Sequence, residues 1–155
     1  MGGKELTPRC LRAACRIFRR FAALRIDQVV TLLEKIITYN AELARSGGNN
    51  WQRETVVPYL IGPPGIAKTA AVIEAAKNAG VEYQGFIGAQ YDPTEMAGFL
   101  FFDQMKRETW RAKPDFMPSE GKWLVLCDEF AQMTMMQKNV MAQLIQERRL
   151  GEHHL

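Results

Sequence analysis

Ile61-Gly62-Pro63-Pro64-Gly65-Ile66-Ala67-Lys68-Thr69 brings two glycines, a lysine and a threonine into nine consecutive residues. Glycine lets a backbone approach an anion closely and adopt torsion angles that a Cβ resists. A helix opening just after such a loop aims its free amides and the positive end of its dipole at the anion. The Lys68 ammonium would reach the β- and γ-phosphates of a nucleotide, and the Thr69 hydroxyl would sit on Mg²⁺. The candidate phosphate-contacting residues are therefore Gly62, Pro63, Pro64, Gly65, Ile66, Ala67, Lys68, Thr69 and Ala70. The stretch departs from the strict phosphate-loop pattern at one place, where Ala67 stands for the second glycine.

About 60 residues further on, Lys122-Trp123-Leu124-Val125-Leu126-Cys127 runs into Asp128-Glu129. An apolar strand ending in two carboxylates places them where ligands bind in open α/β sheets, at the carboxyl ends of strands. Asp128 is placed to hold Mg²⁺, directly or through water. Glu129 is placed to orient and deprotonate an attacking water. Either stretch alone is common; the two at this separation describe a nucleoside-triphosphate site, with Lys68 and Glu129 as its catalytic residues and Thr69 and Asp128 as its metal ligands.

The elements needed to position these residues are readable around them. Val56-Val57-Pro58-Tyr59-Leu60-Ile61 predicts a short buried strand feeding the loop. Ala70 to Ala79 is rich in helix formers and stops at Gly80. Val81 to Ala89 predicts a second strand with Phe86 and Ile87 in the core and Gly85 and Gly88 weakening it. Asp92-Pro93-Thr94-Glu95 predicts a short helix through its cap, its proline and its capping-box glutamate. Phe99 to Met117 predicts a hairpin or an irregular excursion bounded by Pro114 and Pro118. Thr134-Met135-Met136-Gln137 opens a helix predicted to reach about Arg149, with Gly151 as its stop and Met133, Met136, Val140, Met141, Leu144 and Ile145 as its apolar stripe. Upstream, Asp27 predicts the cap of a helix from Gln28 to about Arg45, packed through Val29, Val30, Leu33, Ile36 and Ile37.

Length and composition bound the rest. The 155 residues amount to about one domain, and 47% hydrophobic with 24% charged residues is a globular composition. No apolar run approaches the ~20 residues of a membrane span, and no secretory signal is visible. Cys10, Cys15 and Cys127 are odd in number and lack metal-ligand spacing, which points to a reduced, cytoplasmic setting. The net charge of +3 is unevenly spread: residues 1–25 hold seven Lys/Arg against Glu5, and the remainder hold 13 basic and 16 acidic residues. Residues 1–25 thus read as a basic helical arm: a solvated peripheral helix or an upstream extension that packs on nothing, or else a contact for nucleic acid or a membrane surface, or a targeting peptide. His153 and His154 have no partners that would make a metal site or a catalytic triad.

Taken together, these residues resemble an AAA+ ATPase of the MoxR group, which includes bacterial and phage-encoded members. Gly62 to Thr69 is close to that group's loop, where alanine before the lysine is common. Gln90 to Gly98 resembles its segment after the second strand, Leu124 to Glu129 its Walker B strand, and Gln143 to Gly151 the helix that follows. The resemblance covers about residues 28–155 and leaves the basic arm outside. It implies an α/β P-loop NTPase fold of three layers, α/β/α, with a mostly parallel sheet. It also implies ATP and Mg²⁺ as cofactors, ring-shaped homo-oligomers and a protein client. Family members continue with a sensor strand, arginine fingers, a further strand and a helical lid, in the sheet order 5-1-4-3-2. The chain is therefore expected to divide into the arm, 1–25, and a partial AAA+ domain, 26–155, lacking strands four and five and the lid.

Three functions are open at this point. The first is ATP binding and Mg²⁺-dependent hydrolysis within a MoxR-like remodelling machine. The second is a catalytically silent nucleotide-binding or interaction segment. The third is nucleic-acid binding through the basic arm, with a vestigial nucleotide site.

Overall fold

The computed structural model describes residues 24–47 and 51–155. Most of the predicted basic arm lies outside the described residues. Helix α1 (Ile26–Ser46) comes first. Asp27 does not cap it; Asp27 is its second residue, and the amide of Arg25 donates to Gln28 Oε1 at 3.0 Å. Gly47, at φ 64°, ends the helix in the left-handed conformation that favours glycine. Then follow the one-turn helix α2 (Trp51–Glu54), helix α3 (Lys68–Ala79) and strand β1 (Glu82–Ile87). The short helix α4 (Pro93–Met96) starts at Asp92, whose carboxylate accepts from the Thr94 amide at 2.8 Å while Glu95 accepts from the Asp92 amide at 3.1 Å. Those bonds from Thr94 hold the Asp92 carboxyl below its ordinary pKa.

The excursion from Phe99 contains a hairpin, β2 (Leu100–Asp103) paired antiparallel with β3 (Glu108–Arg111). Asp103 Oδ1 accepts the turn amides of Met105 and Lys106, and Phe101 stacks on Trp110 with ring centres 5.0 Å apart. Strand β4 (Trp123–Asp128), helix α5 (Met135–Glu147) and the two-residue strands β5 (Arg149–Leu150) and β6 (His153–His154) complete the chain. No described helix is long and apolar enough to cross a membrane.

The architecture is mixed α/β around a small parallel sheet. β1 pairs with β4 in parallel, from Glu82 opposite Trp123 to Ile87 opposite Asp128. Alternating side chains send one set to each face. On one face Tyr83, Leu124 and Leu126 pack against Val30 and Leu33 of α1 and Ala71, Val72 and Ala75 of α3. On the other, Phe86, Val125 and Cys127 pack against Met141 and Leu144 of α5 together with Met96, Phe116 and Met133. Both faces of the sheet are thus covered, as parallel strands require.

Two further expectations are corrected. Residues 56–61 form no strand. Their side chains alternate as a strand's would, with Val57, Tyr59 and Ile61 outward at 42, 56 and 73% exposure, but no described strand pairs with them. Asn40 meets the start of the segment instead: its Nδ2 donates to Val56 O and its Oδ1 accepts from Val56 N, both at 2.9 Å. A ladder belongs to two strands; period-2 patterning in one segment only makes it available, and Pro58 removes one donor outright. The second correction concerns α5. It stops at Glu147 because Arg148 turns left-handed at φ 55°, its amide bonding back to Leu144 O. Met136, expected in the apolar stripe, is 69% exposed, and Gln137 is buried instead, donating from Nε2 to Tyr91 O at 2.6 Å.

Phe116 lies in a stretch with no regular structure, yet it is fully buried and stacks on Phe86 with ring centres 4.2 Å apart. Phe116→Ala is expected to cost about 3–5 kcal/mol in urea unfolding, through lost transfer energy and the cavity left behind. A loss below about 1 kcal/mol, the level of an average substitution, would remove Phe116 from the core.

Candidate phosphate- and cation-binding site

The loop closes on its own lysine. Lys68 is the first residue of α3, and its Nζ donates to Gly62 O at 3.0 Å and to Pro63 O at 2.9 Å. An ammonium has three donors, so these bonds tie the loop into a ring and leave one N–H for an anion. Pro64 and Gly65 form the turn, with Gly65 at φ 78°. The Ile66 side chain folds back over Gly62, where an added Cβ would stand 2.5 Å from Ile66 Cδ1. Gly62 therefore works as close approach and Gly65 as backbone conformation.

Ala67 is the informative departure. It precedes α3 at φ 61°, ψ 32°, the left-handed region, and has no side-chain acceptor to cap the helix. The position that breaks the glycine pattern is thus held in the conformation for which glycine is suited, at a cost of order 1–2 kcal/mol to a residue with a Cβ. The first amides of α3, at Lys68, Thr69 and Ala70, have no acceptor within the helix and face the loop end with its dipole.

Asp128 reaches this end from the sheet. It terminates β4, on the face that carries Leu124 and Leu126 toward α3. Thr69 Oγ1 donates to Asp128 Oδ2 at 3.1 Å across 59 residues of sequence. Asp128 Oδ1 accepts the amide of Glu129 at 2.9 Å, which fixes the rotation of the carboxylate. Glu129 is exposed and left-handed at φ 54°, and its carboxylate makes no bond among the described residues. A left-handed glutamate is a second strained residue at the same place.

These oxygens suit a small divalent cation. Ligands at the 2.0–2.1 Å of octahedral Mg²⁺ lie about 3 Å from their neighbours, the spacing of Thr69 Oγ1 and Asp128 Oδ2. The described residues hold no cluster of three or more His, Cys, Asp or Glu that could bind a metal unaided. A hydroxyl and one carboxylate match the habit of Mg²⁺, which keeps water and substrate phosphates in its remaining positions.

Other groups stand apart. Arg148 turns back into the protein, donating from Nε and Nη2 to Thr55 Oγ1 at 3.1 and 2.7 Å, and burial lowers its pKa. Arg149 pairs with Glu147 at 2.8 Å. A groove of about 340 Å³ lined by Arg111, Asn139 and Gln143, and one of about 450 Å³ lined by Gln52, Thr55 and Ile145, include neither the loop nor Asp128. The loop is open to solvent: Pro63 to Ala67, Thr69 and Ala70 are exposed. Tyr83 is a neighbour that the sequence reading passed over; burial raises its pKa, and the charge of Asp128 adds to the effect. Its signal was a glycine two residues on, at Gly85, which leaves room on the same strand face. No family model, no curated protein and no solved structure matches the chain.

Ala67→Gly is expected to stabilise the protein by about 0.5–1 kcal/mol in urea unfolding, because it relieves the left-handed strain. A decrease in stability would contradict the conformation described for residue 67. Burial pushes the Cys127 thiol up to about 11. At pH 8 it is overwhelmingly protonated, so iodoacetamide is expected to spare the Cys127 peptide in folded protein and to label it in urea, read by mass spectrometry. Rapid labelling of the folded form would show that the thiol is not shielded.

Proposed function

We propose that the chain binds ATP and hydrolyses it with Mg²⁺, as part of an AAA+ machine of the MoxR type. The observation that carries this reading is the Thr69–Asp128 hydrogen bond, which joins the lysine loop to the paired carboxylates. Supporting it are the order strand, carboxylate, helix on the far side of the sheet and the α3 amides at the loop. The resemblance of Gly62 to Thr69 and of Leu124 to Glu129 to that family supplies the fold assignment, a P-loop NTPase. It also supplies the ring of copies and the protein client that complete the proposal.

Each residue has a task in this reading. The α3 amides and Lys68 bind and orient the β- and γ-phosphates. Thr69 and Asp128 hold the cation, which when bound neutralises charge developing on the phosphate oxygens. Glu129 orients a water on the γ-phosphate and takes its proton. Cys127 and Met133 pack on the opposite face of this end of β4, with Cys127 Sγ 3.7 Å from Met133 Sδ.

A second reading, binding without turnover, is favoured by one observation. Arg148 and Arg149 are engaged by Thr55 and Glu147 and so do not serve phosphate. An arginine acting on the transferring phosphoryl group is worth roughly 10³–10⁵ in rate.

Isothermal titration should find Mg²⁺-ATP binding that Lys68→Ala weakens strongly; equal affinities would sink the site. Phosphate release by the 155-residue protein alone is expected to stay well below the ~1 s⁻¹ of ordinary enzymes. In an assembled, active form, Glu129→Gln should keep ATP binding and abolish turnover, since it removes the base and preserves the shape. Wild-type turnover by that variant would reassign Glu129.

A further inference from the structure

The face of the sheet that carries Asp128 has a second polar group. Tyr83, Gly85 and Ile87 share one face of β1, opposite Leu124, Leu126 and Asp128 of β4. Tyr83 packs in the cluster with Leu124, Leu126 and the α3 alanines, so its ring lies under the helix that starts at the loop. The ring runs forward along the strand. A Cβ on Gly85 would stand 2.3 Å from the Tyr83 hydroxyl oxygen and 2.9 Å from Cζ. The missing side chain at Gly85 is therefore the channel through which the phenol extends, and its oxygen lies level with the Gly85–Leu126 pair, two residues along the strand from Asp128 on the same face. That oxygen makes no hydrogen bond to the described residues. A half-buried hydroxyl without a protein partner is satisfied by water.

We propose that the Tyr83 phenol is a positioning group at the cation end of the site, donating through a water to the Asp128 carboxylate and so fixing the oxygens that face a divalent cation. The proposal rests on the reading of Thr69 and Asp128 as cation ligands and extends it to the layer behind them. Hydrogen bonds behind a first ring of ligands orient those ligands and set their basicity, and losing one lowers metal affinity about 10–100-fold. Tyr83 touches neither nucleotide nor cation.

The test uses the whole chain with a non-hydrolysable ATP analogue and Mn²⁺, whose free fraction is read by electron paramagnetic resonance. Tyr83→Phe removes one oxygen and keeps the ring. It should raise the Mn²⁺ dissociation constant about tenfold, with nucleotide affinity in chelator and the thermal unfolding midpoint unchanged. Gly85→Ala keeps the hydroxyl but displaces it, and should weaken Mn²⁺ binding in the same way. Wild-type Mn²⁺ affinity in Tyr83→Phe, with Asp128→Ala losing it, overturns the role of Tyr83 and leaves the site standing. If Tyr83→Phe weakens nucleotide binding equally with and without Mn²⁺, the phenol acts by packing and the proposal fails. If Asp128→Ala and Lys68→Ala also bind as wild type, the site reading fails, and this proposal with it.

Discussion

Parallel pairing of β1 with β4 is the constraint from which the arrangement of the molecule follows. Six register pairs bring Ile87 level with Asp128, so both strands deliver their carboxyl ends to one edge. Parallel strands cannot be joined by a tight turn, and the connection between them runs through α4, the β2–β3 hairpin and the buried Phe116. Because both faces of such a pair are apolar, each needs its own cover. α1 and α3 take one side and α5 the other. The cover on the first side is what brings the α3 N-terminus, with Lys68 and Thr69, to the edge where β4 ends.

The polar edge is held against local preference. Ala67 and Glu129 both adopt left-handed backbone without being glycine, one on each side of the Thr69–Asp128 bond. Residues of this kind persist when their surroundings over-determine them. Here the surroundings are the Ala71, Val72, Ala75 and Ala76 face of α3 on one side and the cluster around Met133 on the other. Small alanines let α3 lie close to the sheet, and that closeness carries Thr69 within bonding distance of Asp128. Strain at the rim is thus balanced by packing behind it, and the side chains at the rim remain exposed to solvent and ligand.

Chemistry was more legible than pairing. Gly62, Gly65, Lys68, Thr69, Asp128 and Glu129 stand out by residue type and spacing, because the atoms a phosphate or cation site would need belong to few residue types. The caps at Asp92 and Thr134 were equally legible, because a cap is settled within four residues. Residues 56–61 were not. Their alternation describes a strand, but a strand forms only when a second one supplies donors and acceptors, and that is information held elsewhere. Met136 and Gln137 exchanged places for a similar reason: burial on α5 depends on which face meets Tyr91 and Met96, and helical spacing alone leaves that rotation open.

By itself the sequence determined which atoms are available for chemistry, where helices α3, α4 and α5 start, and that β1 and β4 are apolar enough to be buried. These follow from local steric and hydrogen-bonding rules acting over a few residues. Only the tertiary structure decided that Thr69 meets Asp128, that Arg148 turns to Thr55, and that Tyr83 extends over Gly85 toward the carboxylate. Those contacts join residues brought together by the register of two strands and the packing of helices on them, or depend on the shape of space beside a glycine. No stretch of chain read in isolation carries either.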